Sequence, residues 1–548
     1  MLSDKLRVIV IGLDGATFDL ILPWVGKGYL PTFKKLMQEG SWGELQSTMP
    51  PLTGPAWSSF ITGKNPGKHG IFDFMCRESK GYDWITLNAT RRKGPSFWRL
   101  LSDQGKKVIV FNVPVTYPPE EVNGVMISGY LTPPKAKDFV FPPTLKEGLE
   151  GQIGMDSTFF PGATYSLGRE KKFIQAVDET TDRTIRVMDF LMGRFPWDCF
   201  VGVFQTPDLL QHCLWKDLDH PVLGRAFLQQ YQKIDRYLGR LLSSLDDRTI
   251  LLILSDHGFG DLKKQVFLNT WLLSKGFLKL KSTLTGRMKK TVFRLGFVPM
   301  KIHQLFVRLG MDFSNELMEK RDSLFSFLGN VTLSLKDVDW EKTRAYAMGN
   351  MGYVSINLQG REPCGCVKPG DDYQNTRKEI AKELNAMRDP ATGEPIIDRV
   401  LFREDLFSGP FLLDAPDLFP VPHEFRYHLR GDYLFISNHW IEKLWLISGF
   451  HRENGIFLAT GNQIKKGHKM EGQRIIDIAP TILTFMGVPV PSDMDGRYLS
   501  GLFEAEFSKT IVPLFCEPGE EPRPEERILS DEEQEEIRKK LKSLGYIA

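Results

Sequence analysis

Short apolar runs alternate with amphipathic stretches through the first half of the chain. Four runs are typical of strands that are buried on both faces: Val8 to Ile11, Lys107 to Val113, Cys199 to Phe204 and Thr249 to Leu254. Between the first two, the segment from Leu30 to Gly40 carries apolar side chains at helical spacing. This alternation predicts right-handed βαβ units in an α/β fold, with a mostly parallel sheet between two layers of helices.

The pattern changes after Asp261. The next acidic residue is Asp312, while eleven Lys and Arg residues lie among apolar ones between Lys263 and Arg308. This composition predicts an inserted, basic, largely helical cap at 263–349. It is typical of a solvated helical face, of a membrane-surface patch or of a funnel for an anionic substrate.

The insertion divides the rest of the chain. We expect 1–262 and 350–502 to form one discontinuous catalytic α/β domain, and 503–548 to form a C-terminal strap and a short helix. Ser530 and Glu533 have the spacing of a capping box that begins this helix.

Net charge, cysteine spacing and the length of apolar runs indicate which partners and which cellular location to expect. The net charge is +2 over 548 residues, so we expect no nucleic acid polymer as a partner. The six cysteines are too irregularly spaced for a disulfide framework. The N-terminal segment lacks the features of a signal peptide, and no apolar run approaches the roughly 20 residues of a spanning helix. These features predict a cytoplasmic protein, with peripheral membrane contact through the basic region as an open alternative.

Acidic and imidazole side chains occur where the predicted strands end. Because carboxyl ends of parallel strands meet at one edge of a sheet, these side chains should converge there. Six ligands exceed the needs of one tetrahedral ion, and two divalent ions about 4 Å apart are suited to phosphoryl transfer. The six are Asp14, Asp208, His212, Asp256, His257 and His451.

Thr53 is the candidate nucleophile. Gly54 and Pro55 follow it and can present its hydroxyl at the start of a helix running from Ala56 to Ile61. A divalent cation would lower the pKa of this hydroxyl, and a helix N-terminus favours the resulting anion.

Several motifs occur in a fixed order: GLDG, TGPAW with TGKNPGKHGI, TPDLLQH, SDHG and a lone downstream His. As a set they resemble the alkaline phosphatase superfamily, and most closely its type I phosphodiesterase/nucleotide pyrophosphatase branch, in the subset of predicted phosphohydrolases and phosphomutases. The resemblance covers the stretches from Val8 to Gly260 and from Tyr353 to Leu499.

The resemblance implies an alkaline-phosphatase-like fold and two zinc ions. One zinc would be held by Asp208, His212 and His451, and the other by Asp14, Asp256 and His257, with Thr53 bridging toward phosphorus. Manganese or iron would suit the same ligands.

The implied reaction is the hydrolysis of a small phosphate ester. Thr53 would attack in line, and water would then release the product from a phosphothreonine. A phosphomutase, or a membrane-surface enzyme acting on a lipid-linked phosphate, remains an alternative.

The chain departs from the nucleotide pyrophosphatase pattern at one position. Those enzymes commonly place an Asn about twenty residues after the nucleophile, where it contacts a phosphoryl oxygen, whereas HGIFDF puts Asp73 there. Candidate substrate contacts are therefore Asp73 itself, Lys68, Arg91, Arg92 and His220.

Overall fold

The computed structural model of the protein describes residues 6–78, 80–153, 165, 168–308, 332–519 and 527–543. The strands are β1 (Arg7–Leu13), β2 (Ser41–Gln46), β3 (Met75–Arg77), β4 (Trp84–Thr86), β5 (Val108–Phe111), β6 (Gly124–Ile127), β7 (Val140–Phe141), β8 (Cys199–Phe204), β9 (Thr249–Leu254), β10 (Gly258–Asp261), β11 (Lys264–Phe267), β12 (Ala345–Met348), β13 (Tyr353–Ile356), β14 (Ile397–Phe402), β15 (Leu418–Pro422), β16 (Tyr427–Arg430), β17 (Ile441–Lys443), β18 (Gly449–Arg452), β19 (Asn454–Thr460), β20 (His468–Lys469), β21 (Gln473–Arg474), β22 (Val490–Pro491) and β23 (Phe515–Cys516).

The α-helices of the same ranges are α1 (Phe18–Gly26), α2 (Pro31–Glu39), α3 (Thr53–Thr62), α4 (Pro66–His69), α5 (Phe97–Asp103), α6 (Leu145–Ile153), α7 (Glu170–Arg194), α8 (Thr206–Leu214), α9 (Leu223–Ser244), α10 (Leu268–Lys275), α11 (Leu284–Arg294), α12 (Pro299–Arg308), α13 (Asp371–Asn385), α14 (Arg403–Leu406), α15 (Ile478–Phe485), α16 (Ala505–Thr510) and α17 (Asp531–Ser543).

A ten-stranded sheet forms the centre of the protein. Its order is β20-β2-β19-β9-β1-β8-β5-β6-β7, with β21 also paired to β2. β9, β1, β8, β5 and β6 are parallel, whereas β19 and β7 run in the opposite direction to their neighbours. The predicted mostly parallel sheet is confirmed, and the four predicted strands lie in it within two residues of their expected ends.

Both faces of this sheet are buried. Along β1, Val8 and Val10 pack into one apolar core with helices α3, α5 and α15. Ile9, Ile11 and Leu13 pack into the other core with α1, α2, α7, α8 and α9. Alternate side chains of one strand thus face two helical layers, which confirms the three-layer α/β/α architecture.

The inserted region contains strands as well as helices. β11 pairs with β16 and β17, and β12, β13, β15 and β14 form a four-stranded sheet. Within the predicted cap at 263–349, the described residues form three α-helices, α10, α11 and α12, and two short strands, β11 and β12, so helices predominate there. Residue 350 lies between β12 and β13, which pair with each other. These short strands pair mainly with residues far away in sequence, which no local periodicity shows. The part of the cap at 309–331 lies outside the described residues.

The C-terminal helix begins as expected. The backbone N–H of Glu533 donates to Ser530 Oγ at 3.2 Å, and the Ser530 N–H donates to the Glu533 carboxylate at 2.9 Å. This capping box begins α17, whose Ile537 and Leu541 are buried in the core. Gly545, a residue type that favours the end of a helix, lies outside the described residues.

Candidate active site

The carboxyl ends of β1, β8 and β9 bring three carboxylates together. The three strands end within one residue of each other in the sheet register. Asp14 directly follows β1, Asp256 comes two residues after the end of β9, and Asp208 lies in the first turn of α8. The N–H of Gly15 donates to the Asp256 carboxylate at 3.2 Å and joins two of these strand ends.

One group of ligand atoms consists of Asp14, Asp256 and His257, all buried. His257 Nε2 lies 3.2 Å from Asp256 Oδ2 and 3.7 Å from Asp14 Oδ1. Ligand atoms that surround a tetrahedral ion at about 2.0–2.1 Å are about 3.3–3.4 Å apart. The spacing therefore suits a bound cation.

A second group consists of Asp208, His212 and His451. Asp208 Oδ1 lies 3.3 Å from His212 Nε2 and 3.5 Å from His451 Nε2, and the two imidazole nitrogens are 3.1 Å apart. The ring of His451 also stacks on that of His257 with a centroid distance of 3.6 Å. The two groups are thus adjacent.

The other ring nitrogen of each histidine fixes its tautomer. The Nδ1 atoms of His212, His257 and His451 face the carbonyl oxygens of Gly449, Gly258 and Pro51 at 3.2, 3.1 and 2.8 Å. A carbonyl oxygen only accepts, so each Nδ1 carries a proton and each Nε2 faces the site. This is the arrangement that histidine ligands of metal ions adopt.

The pKa values of the buried Asp and His side chains also favour a bound cation. Burial, together with the charges of Asp256 and Asp208, raises the pKa of Asp14 well above its usual range. Burial and Asp208 raise the pKa of Asp256 to about 8. Burial lowers the pKa values of His257 and His451, so these rings are neutral near pH 7. Burial by itself would raise the pKa of Asp208, but His212 and His451 hold this pKa well below its usual range. A cation bound among these carboxylates would offset the burial and mutual repulsion that raise the pKa values of Asp14 and Asp256.

Thr53 is the first residue of α3 and is buried beside the first group. Its Oγ1 lies 3.1 Å from His257 Nε2. The structure therefore brings the seven residues predicted for metal binding and catalysis to one place. His451 lies in β18, where it pairs with Phe259 of β10, and precedes the central strand β19 by three residues.

Sequence reasoning missed Trp57 as part of the site. Its indole Nε1 donates to Asp14 Oδ2 at 3.2 Å. A Cβ on Gly12 would lie 2.5 Å from Trp57 Cη2, so the ring packs directly on β1. The TGPAW motif contains this tryptophan, so the sequence carried a signal that could have identified Trp57 as part of the site.

Asp73 is held by backbone groups. One carboxylate oxygen accepts from the Phe74 N–H at 2.6 Å, and the other accepts from the Asn350 N–H at 3.4 Å. Burial raises the pKa of Asp73 to about 7. This carboxyl connects the region after α3 to the loop between β12 and β13.

The cationic candidates for substrate contact have other partners. Lys68 pairs with Asp495 at 2.6 Å, and Arg92 pairs with Glu120 at 2.7 Å. Arg91 donates to Cys76 Sγ at 3.5 Å. The exposed His220 accepts from the N–H groups of Val222 and Leu223 at the start of α9. The structure thus uses these side chains in ion pairs and local hydrogen bonds, because their acidic or backbone partners come from segments that sequence spacing does not reveal.

Comparison with known proteins identifies relatives of the chain. A family model described as type I phosphodiesterase / nucleotide pyrophosphatase matches residues 8–418. No curated protein matches.

Two solved structures illustrate the likeness of the fold. Phosphonoacetate hydrolase from Sinorhizobium meliloti 1021, in complex with phosphonoformate, is similar with a TM-score of 0.54 at 14% identity, over 88% of this chain and 96% of its own. Human ectonucleotide pyrophosphatase/phosphodiesterase 5 is similar with a TM-score of 0.48 at 12% identity, over 91% of this chain and 100% of its own. The first likeness confirms the alkaline-phosphatase-like fold.

Proposed function

The chain belongs to the type I phosphodiesterase/nucleotide pyrophosphatase family of phosphoric ester hydrolases, and we propose that it uses two divalent metal ions and Thr53 as the nucleophile. The observation that carries the proposal is the convergence of the Nε2 atoms of His212 and His451, 3.1 Å apart, on Asp208 Oδ1, which lies 3.3 and 3.5 Å from them. These three side chains would hold one divalent cation. Zinc suits these ligands best, and manganese or iron also suits them.

Bound cations would act as Lewis acids, lowering the pKa of the Thr53 hydroxyl and stabilising charge on the phosphoryl oxygens. Thr53 Oγ1 forms a bond to phosphorus while the bond from phosphorus to the leaving alcohol oxygen breaks, which gives a phosphothreonine. A water oxygen then attacks phosphorus, and Thr53 leaves as a hydroxyl. The N-terminus of α3 favours negative charge on Oγ1 in both steps.

The test is replacement of Thr53 in the metal-loaded protein. Thr53→Ala should reduce hydrolysis of para-nitrophenyl phosphate mono- and diesters at least about 10³-fold, because the nucleophile is lost. Its metal content, measured by plasma mass spectrometry, should stay that of the wild type. Thr285→Ala, which changes an exposed threonine of α11, is the control. Full activity of the Thr53 variant would contradict the proposal, and transfer of the phosphoryl group to an added alcohol rather than to water would indicate a phosphomutase.

We also propose that α11 and α12 contact an anionic membrane surface. Leu284, Met288 and Leu295 follow one face of α11 and its C-cap, with 78%, 62% and 82% of their surface exposed. Phe297 and Leu305 nearby are exposed as well. Among the described residues, no helix has the length and apolarity needed to cross a membrane.

The charge of this surface complements an anionic lipid. Arg287 and Arg294 are exposed beside the apolar stripe, whereas the opposite face of α11 is anchored by Phe293, which packs against Phe435, and by the pair of Lys289 with Asp337. A helix with an outward apolar stripe flanked by cations is typical of interfacial binding. Lys263, Lys264 and Lys275 of the predicted basic region instead pair with Glu394, Asp389 and Glu383.

Vesicle sedimentation tests this contact. The protein should bind vesicles of phosphatidylcholine mixed with phosphatidylglycerol, and Arg287→Gln with Arg294→Gln should weaken binding about 30-fold at about 1 kcal/mol per cation. Leu284→Ser with Leu295→Ser should also weaken it, whereas Leu413→Ser, at an exposed leucine elsewhere, should not. Equal sedimentation of all variants, or a dimer formed through this face without lipid, would contradict the proposal. The cytoplasmic location stays a prediction.

A further inference from the structure

A buried glutamine lies between two of the proposed metal ligands. Gln211 belongs to α8, three residues after Asp208 and one before His212, and it is fully buried. Burial of a side-chain amide is unfavourable unless its oxygen and its nitrogen are both hydrogen-bonded. The hydrogen-bond partners of Gln211 therefore indicate what this side chain does in the site.

Gln211 is bonded to the turn that joins β1 to α1, residues 14–17, which we call the β1–α1 turn. Its Nε2 donates to the Gly15 carbonyl oxygen at 2.8 Å, and its Oε1 accepts from the Tyr231 hydroxyl at 3.2 Å. Because a carbonyl oxygen only accepts, the amide nitrogen must face Gly15 and the amide oxygen must face Tyr231. The Thr17 N–H faces the same tyrosine oxygen, so this chain of hydrogen bonds begins and ends at the turn.

The β1–α1 turn also holds a carboxylate of the first metal group, which consists of Asp14, Asp256 and His257. The Gly15 N–H donates to Asp256 Oδ1 at 3.2 Å, while Asp256 Oδ2 lies 3.2 Å from His257 Nε2. One oxygen of this carboxylate is thus fixed by the turn, and the other faces the metal group. A change in the orientation of the Gly15 N–H would therefore rotate Asp256 relative to its proposed ion.

Gly15 depends on its partners to keep its conformation. Its φ of 68° lies in the left-handed region that favours glycine, the residue with the greatest backbone freedom. A Cβ there would lie 3.1 Å from Gln211 Nε2 and 3.2 Å from Asp208 Oδ1, so the turn packs closely on α8 and on the second metal group. The amide of Gln211 fixes the carbonyl side of this mobile residue type.

Neighbouring strands hold other backbone groups of the turn. The Asp14 N–H donates to the Phe204 carbonyl oxygen at 2.9 Å, and Ser255 Oγ donates to the Ala16 carbonyl oxygen at 2.8 Å. These bonds connect the turn to the ends of β8 and β9. The side chain of Gln211 connects it to α8, the helix that carries two ligands of the second metal group.

We propose that Gln211 is a positioning residue for the ion of the first metal group, and that it acts through Gly15 on Asp256. Tyr231 assists by fixing the oxygen of the Gln211 amide. The inference rests on the proposed function, because it requires that this group binds a divalent cation. Ligands that are already held in place lose less freedom when an ion binds, so the affinity for the ion is higher.

Zinc affinities of variants, measured by competition with a chromophoric chelator, test this role. In Gln211→Leu, one of the two zinc affinities should fall about 10- to 100-fold, as expected when a hydrogen-bonded support of a ligand is lost. It should be the affinity that Asp14→Asn also lowers, and the other should stay near that of the wild type. Tyr231→Phe should lower the same affinity by a smaller factor. The double variant should lose less than the product of the two factors, because both changes act on one amide.

Two control variants separate this role from a general loss of stability. Gln265→Leu removes another buried glutamine, whose Nε2 donates to the Lys443 carbonyl oxygen at 2.9 Å in the sheet around β11. Tyr237→Phe removes a hydroxyl of α9 that has no hydrogen-bond partner among the described residues. Gln265→Leu should lower the Tm of the metal-free protein about as much as Gln211→Leu, and neither control should change a zinc affinity.

Unchanged zinc affinities in Gln211→Leu would overturn the inference, as would an equal fall of both affinities or a fall that Gln265→Leu reproduces. If Gln211→Leu does not fold, Tyr231→Phe decides, and wild-type zinc affinities in that variant would overturn the inference. A wild type that does not bind two zinc ions, or that hydrolyses no phosphate ester, would instead contradict the proposed function. An active wild type with two zinc ions and unchanged variants contradicts the role of Gln211 alone.

Discussion

Trp57 connects two sequence motifs through one side chain. Its indole packs on Gly12 of the GLDG motif and donates to Asp14 Oδ2. The tryptophan of TGPAW therefore orients a carboxylate that lies 43 residues earlier in the chain. Partners of this kind keep a ligand in the geometry that a metal ion requires.

Trp57→Phe should keep the packing and lose the hydrogen bond to Asp14. We expect the affinity for one of two zinc ions to fall about 10-fold, with little change in Tm, because an oriented carboxylate becomes free to rotate. Competition with a chromophoric chelator measures this. Trp98→Phe is the control, since Trp98 Nε1 is buried and has no partner in the described part of the chain. Equal zinc affinity in the two variants would refute the role of Trp57.

Asp256 makes the stability of the metal-free protein depend on pH. With a folded pKa of about 8, against about 3.9 in the unfolded chain, it retains a proton that the unfolded chain has released. This stabilisation is present at low pH and is lost as pH rises through about 8. The lowered pKa values of His257 and His451 instead make the free energy of unfolding rise with pH, but only near and below about pH 6.5.

Denaturant unfolding of the metal-free protein measures the effect between about pH 6.5 and 8, where the folded carboxyl still holds its proton, and the slope should vanish above about pH 8 to 9. The free energy of unfolding should fall by up to about 1.4 kcal/mol per pH unit for this proton, and Asp256→Asn should show a smaller slope. Zinc should reverse the trend, because it binds the ionised carboxylate. Identical slopes with and without Asp256 would show that this carboxyl is not the titrating group.

At the scale of elements, strands with a strong local pattern were predictable and short paired strands were not. β8 and β9 are continuous apolar runs, and their predicted ends match the structure. β18 is only four residues long, and pairing with β10 rather than local pattern places His451 beside His212. The β12–β13 hairpin likewise depends on its loop glycine, which contacts Asp73 from another part of the chain.

Gly349→Ala should destabilise this hairpin. Its φ of 79° disfavours alanine, and the added Cβ would collide with the Asp73 carboxylate. Gly360→Ala isolates the first effect, because φ there is 86° and nothing lies within 4 Å of the added Cβ. We expect Gly349→Ala to cost about 1–3 kcal/mol more than Gly360→Ala in the free energy of unfolding. Similar losses would mean that the hairpin moves away from Asp73 at little cost.

Over the whole molecule, long-range ion pairs hold the segment that follows α3. Lys64 pairs with Asp493, and Lys68 pairs with Asp495, across more than 400 residues of sequence. Lys68 was a candidate phosphate contact because Asp73 stands where related enzymes place an Asn that contacts a phosphoryl oxygen. The structure instead uses its charge to join TGKNPGKHG to the C-terminal DMDG segment.

Lys68→Met should therefore reduce stability rather than substrate affinity. We expect a loss of about 1–3 kcal/mol in the free energy of unfolding, as for a hydrogen bond between charged groups, with KM for para-nitrophenyl esters unchanged. Lys35→Met, at an exposed pair within α2, should cost less than about 1 kcal/mol. A large rise in KM without loss of stability would restore Lys68 as a phosphate contact.

The sequence by itself determined the α/β/α fold, the four central strands and the identity of the Asp, His and Thr residues that gather at their ends. It did so because buried parallel strands are long apolar runs, and because their carboxyl ends necessarily share one edge. Only the tertiary structure decided that Trp57 orients Asp14, that Asp73 holds a hairpin and that Lys68 forms an ion pair. Each of these depends on contacts between segments far apart in the chain, and no local periodicity or spacing encodes such contacts.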